Sequence, residues 1–314
     1  MQNILMRFGL SQNLDFILPE TANYIGNPEY FSSDLIGEDL RTIDNKYDIF
    51  THHTRYNYSA IKAVMKDDAV FVTILRNPAD LYESLFSYYG FTNIYNLTLE
   101  SVINDYTKMD ILKQRYFGRI GFNQISWDFG LSEEDISSTD VINEFIKKIE
   151  KEFDLIMIAE HMEASLVLLC HLMRWPIENV ISLYLNARSP IDKHRLTSEE
   201  RQKLLLLNSA DVQLYFHFLK IFQKRVLEYG LEKMYEEITK LLNLNEQLSF
   251  RCVKGVSSTG LGKVVVFRVR DQKDWLCNHA SLPELSFTSE IRVHQRKKAY
   301  VLQKFNRFMT KEFN

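Results

Sequence analysis

The sequence predicts an α/β fold with parallel strands, and three observations predict it. Residues 47–89 read in the order strand, helix, strand, helix, an order whose right-handed crossovers build a parallel layer. Ala69-Val70-Phe71-Val72-Thr73-Ile74-Leu75 is apolar almost throughout and rich in β-branched residues, as a strand covered on both faces is. The alternation then resumes: Val141, Ile142, Phe145, Ile146, Ile149 and Phe153 recur at helical spacing and lead into the apolar run Leu155-Ile156-Met157-Ile158.

In chain order, Ile4, Leu5 and Phe8 mark one face of a helix over residues 3–8, with no capping residue before it. Residues 47–50 form a short strand, 59–65 a helix and 69–75 the stronger strand. Arg76-Asn77 makes the turn, and Pro78 suits the first turn of a helix reaching Tyr89. After the strand at 155–158, residues 162–173 form an apolar helix that ends at Trp175-Pro176, and 181–185 are strand-like. Thr197-x-x-Glu200 has the form of a capping box that opens a helix over 201–207. Helices follow at 212–229 and 231–244. Beyond Asn245 the periodicity weakens: 255–263 read as a loop, 264–269 as a strand and 296–311 as a terminal helix. Residues 1–247 are therefore taken as the main domain and 248–314 as its C-terminal extension.

The bulk properties narrow the function. The 314 residues are 46% apolar, enough for a sizeable core, and carry a net charge of -3, so nothing draws the chain as a whole to nucleic acid or an anionic membrane. Any anion site is local. No run approaches the roughly 18 apolar residues of a membrane span. Of three cysteines, Cys170 lies in an apolar helical run as a buried thiol, while Cys252 and Cys277 can pair in an oxidising compartment. Asn57-Tyr58-Ser59 and Asn96-Leu97-Thr98 are glycosylation sequons.

The stretch richest in chemistry is Val72-Thr73-Ile74-Leu75-Arg76-Asn77-Pro78, followed by Ser84. An arginine that ends a strand and precedes a Pro-started helix stands at the carboxyl edge of the sheet, where open α/β folds bind ligands. The helix N-terminus adds partial positive charge, and a hydroxyl two turns in can donate to a phosphate that the guanidinium holds. The residues alone leave a second reading open, a surface arginine and an unremarkable helix hydroxyl. His52-His53 alone reads as a polar loop or a chance look-alike of a metal-ligand pair. Asn186-Ala187-Arg188-Ser189-Pro190 with Lys193-His194-Arg195 is a local basic loop, solvated or anion-binding. Gly255-Val256-Ser257-Ser258-Thr259-Gly260-Leu261 lacks the Lys-Ser/Thr of a phosphate loop and reads as a flexible connection.

Arg-Asn-Pro with a serine eight residues after the arginine resembles the 3′-phosphate-binding motif of sulfotransferases. His52-His53-Thr54-Arg55-Tyr56, Phe71 to Pro78, Glu83-Ser84-Leu85-Phe86-Ser87-Tyr88-Tyr89-Gly90 and Leu183-Tyr184-Leu185-Asn186-Ala187-Arg188, taken in order, resemble the galactose-3-O-sulfotransferase family across residues 2–247. The resemblance implies a P-loop-NTPase-like sulfotransferase fold with a central parallel sheet flanked by helices. It implies transfer of a sulfuryl group, without a metal, from 3′-phosphoadenosine-5′-phosphosulfate to the 3-hydroxyl of galactose on a glycolipid or glycoprotein glycan. It gives His53 the role of base, Arg76, Ser84 and Arg188 contacts to the nucleotide, and His52 and Arg55 places beside the acceptor. It also implies the lumenal face of the Golgi membrane. Family members carry a further phosphate loop, a strand followed by a Lys-Thr-x-x-Ser-type turn, and a membrane anchor. Residues 2–9 resemble the helix that follows that loop, so first strand, loop and anchor are expected to be missing from this chain, either as a fragment of a normal enzyme or as a shortened homologue. The latter leaves open a non-catalytic binder of nucleotide or glycan.

Overall fold

A computed structural model describes residues 1–183, 194–259 and 264–312. In chain order its main elements are α1 (Gln2–Ser11), β1 (Phe16–Ile17), β2 (Tyr24–Tyr30), β3 (Ile49–Phe50), β4 (His53–Arg55), α2 (Tyr58–Val64), β5 (Val72–Leu75) and α3 (Pro78–Tyr88). A run of short helices leads to α4 (Thr139–Glu152), β6 (Leu155–Ile158), α5 (Met162–Met173), α6 (Ser198–Leu207), α7 (Ser209–Tyr229) and α8 (Leu231–Cys252). The hairpin β7 (Val253–Thr259) and β8 (Val264–Val269), then α9 (Trp275–Ser281) and α10 (Glu284–Glu312), complete the chain. These elements group into two compact units, Met1–Ala69 with Gln272–Asn314, and Val70–Asp271.

In the first unit two parallel ladders, β1 with β3 and β2 with β4, bring Tyr24 opposite His53 and Ile25 opposite Thr54. Phe16, Ile17, Leu18, Ile25, Phe31, Leu40, Phe287 and Ile291 fill the core. Gly9 of α1 is dictated by packing, since a Cβ there would lie 2.4 Å from the Phe16 ring and 2.5 Å from Ile49. One stripe of α10 is bolted to these ladders. The Gln295 amide accepts from the Phe16 N–H at 2.8 Å and donates to the carbonyls of Phe16 and Leu40, each at 2.8 Å.

The second unit is built on β5 and β6, parallel and in register from Val72 opposite Leu155 to Leu75 opposite Ile158. Every residue of β6 is buried, whereas in β5 only Leu75 is. The faces of α3 divide cleanly. Tyr82 and Phe86 point into a cluster with Phe91, Val102, Ile103, Leu112 and Phe122, where the Tyr82 ring stacks on Phe122 at 4.4 Å and its hydroxyl donates to the Leu112 carbonyl at 3.2 Å. Burying each ring contributes roughly 1.5–3 kcal/mol, and this fixes the roll of α3 and with it the direction of its opposite face. Elsewhere the wholly buried Asp211 accepts hydrogen bonds from the Ser126 hydroxyl and N–H and the Ile125 N–H at 2.6, 2.8 and 2.9 Å.

Several expectations are corrected. The described strands form four two-stranded ladders rather than one central parallel sheet. These strands, of two to seven residues, pair by twos. Three of the four β5 residues are accordingly half-buried, not covered on both faces. Residues 253–259, expected to contain loop, pair with β8; a polar, solvent-facing hairpin strand has no apolar alternation to announce it. The terminal helix starts at Glu284, directly after Pro283, rather than at 296, and α8 continues to Cys252 rather than 244. Ile181 to Leu183 form no strand, and 184–193 lie outside the described residues. Cys170 is free and buried, while Cys252 and Cys277, also buried, are each disulfide-bonded. Among the described residues no helix is long and apolar enough to cross a membrane.

Candidate active site

Each unit carries a cluster of the residues singled out by the sequence. In the second unit the β5–α3 turn places the Arg76 guanidinium at the carboxyl end of β5, half-buried, and the turn is held from three sides. The Asn77 side chain caps α3 by accepting from the Ala79 N–H at 3.1 Å, Pro78 occupies the first helical position, and the Asn77 N–H donates to Glu160 Oε1 at 2.7 Å. Glu160 follows β6 directly, where the parallel register brings it beside the turn. Its other oxygen accepts from the Tyr215 hydroxyl at 3.2 Å, whose ionisation is pushed well above the ordinary range, by burial first and by the Glu160 charge second.

Arg201 of α6 forks onto Asp80, with contacts of 2.8 and 2.7 Å, and reaches Asn77 Oδ1 at 3.4 Å. The hydrogen bond and charge of Asp80 raise the Arg201 pKa further, so this cation is already matched. Arg76 differs: among the described residues its guanidinium takes part in no hydrogen bond or ion pair. Ser84 lies seven residues along α3 from its cap, about two turns, which returns it to the face that carries Asn77 and Asp80. An unmatched guanidinium at a helix N-terminus, with a hydroxyl on the adjoining helix face, suits a phosphate dianion.

In the first unit, His53 and Arg55 of β4 and His52 just before it are neighbours in sequence but not in environment. His52 is buried, 3.0 Å from the Thr288 hydroxyl of α10. Its pKa is pushed down to about 4, chiefly by burial and against the pull of Glu284, so it stays neutral at physiological pH. His53 is exposed; its ring stacks on Tyr24 at 4.8 Å and its Nε2 lies 3.4 Å from Glu284 Oε1. Burial opposes ionisation of Glu284, but the neighbouring His53, Asn23 and Gln2 outweigh it and hold the carboxyl below its usual range. Arg55 is buried under the Tyr30 ring, 4.1 Å from its centroid, and donates to the Pro28 carbonyl at 3.3 Å.

Arg76 and Ser84 thus share one turn and helix, His53 and Arg55 one strand with His52 immediately before it, while Arg188 lies outside the described residues. Sequence reasoning missed Glu160, Arg201, Tyr24 and Glu284. The signal for Glu284 was Pro283-Glu284, a helix start; nothing local announces the others, because their partners lie far along the chain. No metal-holding cluster of His, Cys, Asp and Glu occurs among the described residues.

A family model described as Galactose-3-O-sulfotransferase matches residues 1–273. The chain is 28% identical over 317 residues to the galactosylceramide sulfotransferase of Mus musculus, covering 92% of this chain and 74% of that protein. It is 32% identical over 260 residues to the galactosylceramide sulfotransferase of Homo sapiens, covering 81% of this chain and 60% of that protein. To the galactose-3-O-sulfotransferase 2 of Sus scrofa it is 28% identical over 322 residues, 93% of this chain and 80% of that protein. No solved structure matches.

Proposed function

The chain belongs to the galactose-3-O-sulfotransferase family, and from that premise we propose that it moves a sulfuryl group from 3′-phosphoadenosine-5′-phosphosulfate to the 3-hydroxyl of a galactose on a glycolipid or glycoprotein glycan. The observation that carries the reading is the Arg76 guanidinium, left without a partner among the described residues at the end of a parallel strand. Beside it Arg201 is committed to Asp80. A site that spends one arginine on its own carboxylate and leaves the other open is arranged for an anion from outside.

In this reading Arg76 grips the donor's 3′-phosphate with both arms, Ser84 donates a hydrogen bond to it, and Arg188 of the basic loop adds a second cation. The grip places the donor without touching the reacting atoms. His53, exposed and turned by Glu284, takes the proton from the galactose O3. The bond from O3 to sulfur forms as the bond from sulfur to the 5′-phosphate oxygen breaks, and its electron pair leaves on that phosphate. Buried His52 stays neutral and supports the strand, and Arg55 shapes the acceptor side. Residues 1–247 form the sulfotransferase domain with 248–314 as its extension, working on the lumenal face of the Golgi membrane. The disulfide-bonded state of Cys252 and Cys277 supports that oxidising location.

Radiolabelled sulfate transfer from this donor to galactosylceramide and to lactose tests the reading. Label on either acceptor in the wild type, lost in Arg76→Ala, supports it. Full transfer by Arg76→Ala would remove the donor site from this turn.

A further inference from the structure

We propose that Glu284 is a positioning residue for His53, a carboxylate at the head of α10 that selects the tautomer of the imidazole and strengthens it as a base. The proposal rests on the reading of His53 as the base. Four features of one helix face carry it. Glu284, Thr288, Arg292 and Gln295 follow one another at intervals of four, four and three residues, so they line one stripe of α10. Glu284 meets His53 at 3.4 Å, Thr288 meets His52 at 3.0 Å, Arg292 donates to the Ala22 carbonyl just before β2, and Gln295 clasps Phe16 and Leu40. The helix is therefore set in register on the strands and on the segment 52–53 that holds both histidines, and the carboxylate cannot slide along it.

The imidazole plane is fixed on its other side by the stack on Tyr24 at 4.8 Å with 24° between the rings. The carboxylate faces Nε2 at 3.4 Å, a charge contact rather than a formed hydrogen bond, and a neutral ring that keeps its proton on that nitrogen carries its lone pair on Nδ1, the atom that then accepts the O3 proton. The imidazolium formed as the sulfuryl group leaves the donor's phosphate is stabilised by the carboxylate behind it. Glu284 is already held ionised by His53, Asn23 and Gln2. Other charged or titratable groups around the pair include His52 just before β4, Arg55 of β4, Tyr24 of β2 and Arg292, which acts on His52; α1 contributes the uncharged Gln2. His52 is neutral, and Glu284 is a carboxylate in direct contact with this ring. The family match stops at residue 273, before this helix begins.

The test uses the full chain with Glu284→Gln, Glu284→Asp and His53→Ala. Glu284→Gln keeps the shape and the contacts to Gln2 and Asn23 while losing the charge. It lowers kcat about tenfold, less than the roughly 10²–10⁴-fold that a positioned base itself contributes, and leaves KM for donor and acceptor unchanged. Removing the anion makes the imidazole harder to protonate, so the acid limb of the pH–rate profile moves to lower pH. Glu284→Asp recovers most of the rate. A profile superimposable on wild type, or a loss confined to KM, overturns the proposal. The two readings separate through the NMR titration of His53, assigned by the signal missing in His53→Ala. If His53→Ala turns over normally, the base assignment falls, yet a His53 titration moved to lower pH in Glu284→Gln still establishes the pair. A titration unmoved by Glu284→Gln removes the pair whatever His53 does.

Discussion

Replacing Arg76 by alanine separates binding from folding. The guanidinium has no partner among the described residues, so its loss strands no buried group and thermal unfolding stays within about 0.5 kcal/mol of wild type, as for surface changes generally. Its role in donor binding is a charge-assisted, two-armed grip on a phosphate, and hydrogen bonds to charged groups contribute about 1.5–3 kcal/mol, or roughly 10- to 150-fold in affinity. Titration calorimetry with 3′-phosphoadenosine-5′-phosphate measures this directly, because the product nucleotide keeps the 3′-phosphate and reports binding without turnover. Ser84→Ala removes a single hydroxyl and weakens binding by about fivefold, corresponding to about 1 kcal/mol. Arg201→Ala is the control. It breaks the fork on Asp80, in which both side chains are more than a third exposed, and solvent screening limits the cost to stability to about 1 kcal/mol or less. Wild-type affinity for the nucleotide in Arg76→Ala, or a collapse of its fold, would refute the assignment.

The other predictions draw on single residues. His52 has a folded-state pKa near 4 against 6.5 unfolded; only the unfolded chain binds its proton between those values, so its share of stability is full above about pH 6.5 and is lost as pH falls toward 4. That share is on the order of 3 kcal/mol, and urea midpoints for His52→Gln should be flatter over this window than those of wild type; parallel curves would contradict it. Burial pushes the Cys170 thiol up to about 12 and the other two cysteines are disulfide-bonded, so alkylation before reduction labels nothing in the native chain, one thiol after denaturation and three after reduction. More than one unreduced thiol would count against the cysteine assignment. Of the two sequons, Asn57 has its amide committed to the Phe31 carbonyl and the Ala60 N–H, each at 3.3 Å, whereas Asn96 is exposed at a turn with φ of 54°. Expressed behind a secretory leader, the chain should carry its glycan on Asn96 and not Asn57, read by mass spectrometry after enzymatic release.

What the sequence made legible was local. Leu155 to Ile158 announce a buried strand by their apolar run, the helix Met162–Met173 appears between the expected limits, and Thr197 and Glu200 form the reciprocal capping box that their spacing foretold. Arg76-Asn77-Pro78 was readable because strand end, helix cap and first-turn proline all lie within three residues. Contacts made at long range stayed hidden. Nothing beside His53 points to Glu284, and nothing beside Asn77 points to Glu160, because these pairs exist only once α10 and β6 are in place. The different fates of His52 and His53, adjacent and identical in type, are decided by α10 covering one ring and leaving the other open. The β7 strand was missed for the reason that makes it unusual: with Val256 more than half exposed, it has no core face to give it a period.

The most direct test of the account is sulfate transfer by wild type and His53→Ala in parallel, with the linkage of the labelled product determined and nucleotide binding measured on both. The account predicts radiolabel on O3 of galactose from the wild type, and from His53→Ala a rate lower by about 10²–10⁴-fold with nucleotide affinity intact. Transfer by His53→Ala at the wild-type rate, or wild-type label at a position other than galactose O3, would contradict it.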